Sequence, residues 1–221
     1  MPFSSVVIDV DSTLTAIEGI DWLAARRGPE VAERVRAQTE RAMNGEIPLD
    51  AVYGERLALV RPGRDDLAAL ARAYEEGVAP GARAALDELR EAGVRVVLVS
   101  GGIRQAIIPF ARALGVAVAD VHAVDVVLDA GGAYYAHDAG TPLATQQGKG
   151  EVVAALVAGY AGAAPLPRPV LAVGDGATDV AMRGAADAFA AYVGFARRDA
   201  VVAAADHVVS SFSELTRLVL A

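Results

Sequence analysis

Three short, mostly apolar runs, at residues 6–8, 94–99 and 170–173, each end in polar residues or glycine, and each precedes a helical pattern. Runs of this length and composition read as buried strands. Strands separated by helices read as parallel neighbours in an α/β sheet. Such sheets bind ligands beyond the carboxyl ends of their strands, so the residues just after each run carry the chemistry.

The first run leads into Asp9-Val10-Asp11-Ser12-Thr13. Side chains alternate along a strand, so Asp9 and Asp11 point the same way. Two carboxylates that close repel each other: one keeps its proton, or a cation sits between them. The same pattern also describes a solvated strand end with one aspartate capping a helix. The second run ends in Ser100-Gly101-Gly102, which puts Ser100 at a strand-to-helix turn where backbone N–H groups and the helix dipole favour an anion. A serine nucleophile of the G-x-S-x-G type needs glycine at 98, where Leu98 stands. A turn serine capping the next helix is the plain alternative. The third run ends in Gly174-Asp175-Gly176-Ala177-Thr178-Asp179. Its glycines mimic the start of a dinucleotide fingerprint, but Asp179 occupies the last glycine position. Two more carboxylates here repel a pyrophosphate and attract a cation; turn and N-cap chemistry is the alternative.

Composition narrows the partners. The 221 residues, 54% of them hydrophobic, suffice for one sizeable core and a smaller attached unit. A net charge of −8 argues against nucleic acid and means that an anionic substrate needs a local positive site. The absence of cysteine excludes disulfides, thiolate nucleophiles and cysteine-bound metals, and fits a reducing, cytoplasmic setting. The start has no basic n-region, so no signal peptide is expected. The longest apolar run, residues 152–166, is too short to span a bilayer. Of 20 cationic side chains only Lys149 is lysine. A solitary lysine marks a place that suits a compact ammonium and not a planar fork, or is a chance survivor on the surface. It lies in Gln146-Gln147-Gly148-Lys149-Gly150, ahead of a helix expected over 151–160, without P-loop spacing.

Residues 15–76 are helical in pattern throughout, cut by Gly28-Pro29, Asn44-Gly45, Pro48 and Pro62-Gly63 into pieces at 19–27, 30–43, 49–60 and 65–75. No strand interrupts them, so a small helical bundle is expected as an insert after the first strand. In the third piece, Leu49, Val52, Tyr53, Leu57 and Val60 form an apolar stripe that contains Arg56. Arg56 either meets an anion there or snorkels at the stripe edge. Glu18 opens the first helix, as a helix-dipole acid or as a carboxylate facing the cleft between bundle and sheet. Met43 ends the second helix, where core packing is its default role. Helices at 80–92, 103–114 and 212–220, a hairpin of 124–128 with 133–137, and strands at 188–195 and 206–209 complete the pattern. His122, His137 and His207 fall outside every strand end, so no histidine triad is expected.

Asp9-Val10-Asp11-Ser12-Thr13, Glu18-Gly19-Ile20-Asp21, Arg41-Ala42-Met43, Glu55-Arg56-Leu57-Ala58-Leu59, Ser100-Gly101-Gly102, Gly148-Lys149-Gly150 and Gly174 to Asp179 form one ordered set over nearly the whole chain. In that set the sequence resembles the haloacid dehalogenase-type phosphatases, and among them the members that act on O-phospho-L-serine. The resemblance implies an α/β, Rossmann-like core with a mostly parallel sheet, made of residues 1–14 and 77–221. It implies that 15–76 are an inserted four-helix cap. It further implies Mg²⁺-dependent hydrolysis of O-phospho-L-serine, the last step of L-serine biosynthesis, by a cytoplasmic monomer or homodimer without nucleic-acid or membrane partners. Asp9 would attack phosphorus. Asp11 would protonate the leaving oxygen and then take a proton from water. Asp9, the Asp11 carbonyl and Asp175 would hold Mg²⁺, with Asp179 behind them. Ser100 and Lys149 would bind phosphate oxygens, Glu18 the substrate ammonium and Arg56 its carboxylate. Met43, Gly101, Gly102 and Thr178 would line the pocket.

The chemistry asks for this many groups. Phosphate monoesters need accelerations up to ~10²¹, and one positioned donor supplies only about 10²–10³. The chain departs from the family at Ala16, Asn44 and Ile103, and the match loosens around Arg197 and Arg198, to which the resemblance assigns no role. Phosphotransfer from phosphoserine to another alcohol such as homoserine, hydrolysis of another small phosphomonoester, and non-catalytic binding of a phospho-ligand are the alternatives.

Overall fold

The computed structural model describes residues 2–159 and 164–221. Strand β1 (Ser5–Ile8) is at its centre, fully buried and flanked on both sides. The chain then forms α1 (Gly19–Ala25), α2 (Pro29–Met43), α3 (Tyr53–Val60) and α4 (Arg64–Glu76) before α5 (Ala82–Glu91) and β2 (Arg95–Ile103). It continues through α6 (Arg104–Ala113), β3 (Val121–Val124), a hairpin of β4 (Val126–Leu128) and β5 (Tyr134–His137), and α7 (Gly148–Ala158). The last part is β6 (Val170–Gly174), α8 (Ala177–Val180), β7 (Ala188–Tyr192), α9 (Asp199–Ala204), β8 (His207–Val209) and α10 (Phe212–Leu220).

Six strands form one sheet in the order β3-β2-β1-β6-β7-β8, with every pairing parallel. From β1 the chain winds to one edge through β2 and β3, then returns to build β6, β7 and β8 on the other side. The order therefore reverses between β1 and β6, and in open α/β sheets that reversal opens a crevice at the carboxyl ends. Ile8 is in register with Leu98 of β2 and Val173 of β6, so Asp9 and Asp175 emerge beside each other at the crevice.

The helices that cover this sheet follow from sequence period. In α5, Ala82, Ala85, Leu86 and Leu89 are buried at the i, i+3, i+4, i+7 spacing of one helix face. In α10, Phe212, Leu215, Thr216 and Val219 repeat it, and Ser211 caps the start by accepting the Glu214 N–H at 3.3 Å. Helices α1–α3 border the crevice, and α4 packs on α6, with the Tyr74 ring 5.7 Å from that of Phe110. No helix among the described residues is long and apolar enough to cross a membrane.

Several sequence expectations shift. Residues 49–60 are not one helix: Leu49–Ala51 form a single tight turn before α3. Strand β2 does not stop at Val99. It runs through Ser100, Gly101 and Gly102 to Ile103, which pairs with Val124 after a break in register. The two glycines, which read as a turn, lie in that break, between the pairings of Val99 with His122 and of Ile103 with Val124. Ser100 is thus in the strand end, not in a turn, and α6 begins at Arg104. The hairpin expected from residue 124 is preceded by a separate sheet strand, β3, which carries His122. The strand expected over 188–195 ends at Tyr192, and the sequence pattern gives no sign of α9. Helix α7 begins at Gly148, earlier than expected, and its expected end at Tyr160 falls outside the described residues.

Candidate active site

Asp9 follows β1 directly, and its N–H donates to Val173 O at 3.0 Å, tying the two strand ends together. Ser12 adopts φ +54°, a left-handed conformation that turns the chain back towards α1. The turn aims three side chains inward. Thr13 Oγ1 donates to Asp175 Oδ1 at 3.1 Å, Ser12 Oγ donates to Glu18 Oε1 at 2.6 Å, and the half-buried Asp11 accepts the Gly19 N–H at the start of α1 at 2.6 Å. Glu18 occupies the N-cap position with an extended backbone and makes no capping bond. It therefore faces the cleft instead of serving the α1 dipole.

Lys149 arrives from the first turn of α7. That turn packs directly on the Pro142 carbonyl, where a Cβ on Gly148 would overlap it. Lys149 Nζ donates to Asp9 Oδ1 at 2.5 Å and to Asp179 Oδ1 at 2.6 Å, with all three side chains buried. Asp179 also accepts the Gly176 N–H at 2.8 Å, so it has the local capping role as well. One ligand atom each from Asp9, Asp175 and Asp179 lies within 4.8 Å of the others. Arg198 bonds the Asp175 carboxylate and donates to its main-chain carbonyl at 3.2 Å. Three buried carboxylates thus meet two cations, and the excess negative charge suits a metal ion.

Burial pushes the Asp9 carboxyl up, with Asp179 adding to the effect and Lys149 opposing it. Burial likewise raises Asp11, against the hydrogen bonds from Gly19 and Tyr74. Asp175 is pushed up to about 7, first by burial and then by Asp179, with Arg198 opposing. For Lys149, burial pulls downward, but Asp179 and Asp9 outweigh it, so the ammonium is held charged. Glu18 is pushed up to about 8 by burial, then by Asp11 and Asp175.

Across the cavity, α3 contributes Arg56, which is 4% exposed. Its Nη2 lies 3.8 Å from Asp21 Oδ1, and its Nε has no partner among the described residues. Thr39 Oγ1 donates to the same Asp21 oxygen at 2.5 Å. Tyr53 donates to Gly101 O at 2.8 Å, joining α3 to the end of β2.

A cavity of about 40 Å³ lies at the centre. Asp9, Asp11, Glu18, Met43, Arg56, Ser100, Gly101, Gly102, Lys149, Asp175 and Thr178 all line it, so the residues singled out from sequence converge, with Asp179 just behind Lys149. None of the three histidines lines it; His137 packs against the Tyr53 ring at 5.5 Å. Sequence reasoning missed Gly19, Ile20, Leu49 and Tyr53 on the wall. Leu49 and Tyr53 belong to the apolar stripe of 49–60, and one end of that stripe borders the cavity as well as the core. It also missed the bonds from Thr13 and Arg198 to Asp175 and from Tyr74 to Asp11, each of which joins distant segments.

The family model for haloacid dehalogenase-like hydrolases matches residues 6–183. The chain belongs to that family of hydrolases, with its site at the carboxyl ends of the sheet strands. Within it, the chain is similar to phosphoserine phosphatases. It is 35% identical to that of Rattus norvegicus over 211 residues, covering 96% of this chain and 91% of the relative. It is 36% identical to that of Halobacterium salinarum over 213 residues, covering 96% and 95%. A phosphoserine phosphohydrolase-like protein from Francisella tularensis shares the fold with a TM-score of 0.84 at 22% identity, over 98% of this chain and 100% of that one.

Proposed function

We propose that this chain hydrolyses O-phospho-L-serine to L-serine and inorganic phosphate through a phosphoaspartate on Asp9, the last step of L-serine biosynthesis. One observation carries the reading: phosphate-type groups from the strand ends and α7 and amino-acid-type groups from α1–α3 face one small cavity. A phosphorylated amino acid offers a phosphate, an ammonium and a carboxylate. Lys149 with Ser100, Glu18 and Arg56 are their complements.

In this reading residues 1–14 and 77–221 are the catalytic core and residues 15–76 the cap. A cavity of about 40 Å³ holds water but not phosphoserine, so the substrate enters when the cap moves away and reacts when it returns. Asp9 attacks phosphorus, and the serine oxygen leaves with a proton from Asp11. Water then attacks the phosphoaspartate, giving its proton to Asp11, and phosphate departs with the Asp9 carboxylate restored. Lys149 and Ser100 bind the phosphate oxygens. Met43, Gly101, Gly102 and Thr178 shape the space around them.

The buried acid cluster fits Mg²⁺, which prefers a few carboxylates together with phosphate and water. Asp9, the Asp11 carbonyl and Asp175 would hold it, with Asp179 supporting them. When bound, the ion neutralises charge on the phosphate so that a carboxylate can approach. The absence of cysteine supports work in the cytoplasm.

The test is phosphate release across phosphorylated amino acids and sugars, with and without Mg²⁺ and with an added acceptor alcohol. Preferential, Mg²⁺-dependent release from phosphoserine, with free serine as product, is expected. Preference for a phosphosugar, or transfer of the phosphate to the alcohol, would replace the reading.

A further inference from the structure

In the proposed phosphoserine hydrolysis, a reading this inference rests on and deepens, Asp11 gives a proton to the leaving serine oxygen. Its two oxygens have different surroundings. Oδ1 accepts two hydrogen bonds, from the Gly19 N–H at 2.6 Å and from the Tyr74 hydroxyl at 2.9 Å. Oδ2 has the Ser100 hydroxyl at 3.3 Å. Both donors to Oδ1 come from the helical segment, Gly19 opening α1 and Tyr74 near the end of α4, whereas Asp11 follows β1.

The phenol is fixed at both ends. Tyr74 is fully buried, its ring lies 5.7 Å from that of Phe110, and its carbonyl accepts the Thr15 hydroxyl at 3.2 Å. A Cβ on Gly19 would overlap the Tyr74 hydroxyl and press on Asp11, so glycine at 19 is what lets both donors reach one oxygen. A buried hydroxyl needs an acceptor, and Asp11 is the one it has.

We propose that Tyr74 is a positioning residue for Asp11, occupying Oδ1 together with the Gly19 N–H so that Oδ2 is the oxygen that carries and delivers the proton. As the bond between phosphorus and the serine oxygen breaks, the Oδ2 proton passes to that oxygen and neutral serine leaves. The carboxylate left behind is met by two donors already in place, which need no rearrangement. Because both donors belong to the helical segment, the acid is fully set only when that segment is seated over the sheet.

The test separates leaving groups. Serine departs as an alcohol and needs the proton, whereas p-nitrophenolate departs without one. Tyr74→Phe keeps the ring and removes only the hydroxyl. In rapid-quench first turnovers with Mg²⁺, we expect release of serine from phosphoserine to slow by about tenfold or more, while the p-nitrophenolate burst from its phosphate changes by less than about twofold. Gly19→Ala, which displaces the hydroxyl from the opposite side, should slow the serine burst by more than the p-nitrophenolate burst, and decides the matter if Tyr74→Phe folds poorly. Equal losses on both substrates in a variant with wild-type melting temperature, or no loss on either, would overturn the role of Tyr74. Asp11→Asn on the same substrates tests the underlying reading separately: if it leaves the serine burst intact, Asp11 is not the acid, whatever Tyr74 does.

Discussion

The ammonium of Lys149 sits 2.6 Å from one carboxylate oxygen of Asp179 and, in the same buried space, 2.5 Å from one of Asp9. One nitrogen serves two acceptors that converge on it. A tetrahedral ammonium does this readily, whereas an arginine fork spreads its donors over three nitrogens in a plane. Lys149→Arg is therefore expected to lose about 10²-fold in kcat/KM despite keeping the charge. Lys149→Met leaves two buried acids without their shared cation and should cost about 3–5 kcal/mol in urea unfolding without added metal. Wild-type turnover in the arginine variant would show that the single lysine has no special geometry to meet.

Asp9 lies closest to the switch point of the sheet, between β1 and β6, where its N–H is already bonded to Val173. In the proposed reaction it is the nucleophile, with no substitute at that place. Asp9→Asn should lower kcat by at least about 10⁴-fold while phosphoserine still binds in equilibrium dialysis. Substantial remaining turnover would remove Asp9 from the role.

How much of this could be read from the chain depended on whether the signal was local. The strand ends at Asp9 and Asp175 were legible because β-branched runs stop abruptly at carboxylates. Arg56 was legible as a charge interrupting an apolar stripe, and Lys149 as the one lysine among arginines. Four residues hid β3: the short Val121–Val124 run merges through Asp125 into the hairpin, so two strands read as one. Helix α9 is six residues, Asp199 followed by five small apolar side chains, with no periodic face to reveal it. The paired glycines at 101 and 102 signalled a turn, but they form a break in register, and pairing with β3 resumes beyond them at Ile103. Arg198 and Tyr74 reach acids 23 and 63 residues away, and no spacing rule in the sequence encodes such contacts.

Arg56 keeps an unpartnered Nε in a buried position, and its nearest acid, Asp21, is 3.8 Å from Nη2 and already engaged by Thr39. A carboxylate arriving in the cavity would take up that unused donor capacity. Arg56→Ala is expected to lower kcat/KM for phosphoserine by about 10²-fold and for p-nitrophenyl phosphate, which has no carboxylate, by less than about threefold. Equal losses on both substrates would count against a carboxylate contact.

Glu18 makes stability depend on pH. Its carboxyl moves from 4.5 to about 8 on folding, mainly through burial. Between those values the folded protein holds a proton that the unfolded chain has released. Stability from this group is therefore full at low pH and falls as pH rises through that window, by up to about 1.4 kcal/mol per unit. Glu18→Gln cannot lose a proton. In chelator-treated protein its melting temperature should gain on wild type between pH 5 and pH 8, even as its use of phosphoserine declines. A difference that stays constant over that range would mean that Glu18 ionises normally in the folded protein.

Metal removal tests the acid cluster. Asp9, Asp175 and Asp179 crowd three buried carboxylates within reach of one ion, and Lys149 and Arg198 offset only part of their charge. An ion that binds the folded state alone stabilises it by mass action, by about 2.7 kcal/mol at a hundredfold excess over Kd. EDTA should abolish phosphoserine hydrolysis and lower the melting temperature, and Mg²⁺ should restore both. Asp175→Asn should lose the thermal response to Mg²⁺. Asp187→Asn is the control, because Asp187 pairs with Arg168 at 2.7 Å on the surface, away from the cavity, and it should keep that response. If Mg²⁺ raised the melting temperature of Asp175→Asn as much as that of wild type, the ion would be acting elsewhere on the protein, and the crevice between β1 and β6 would need another source of positive charge.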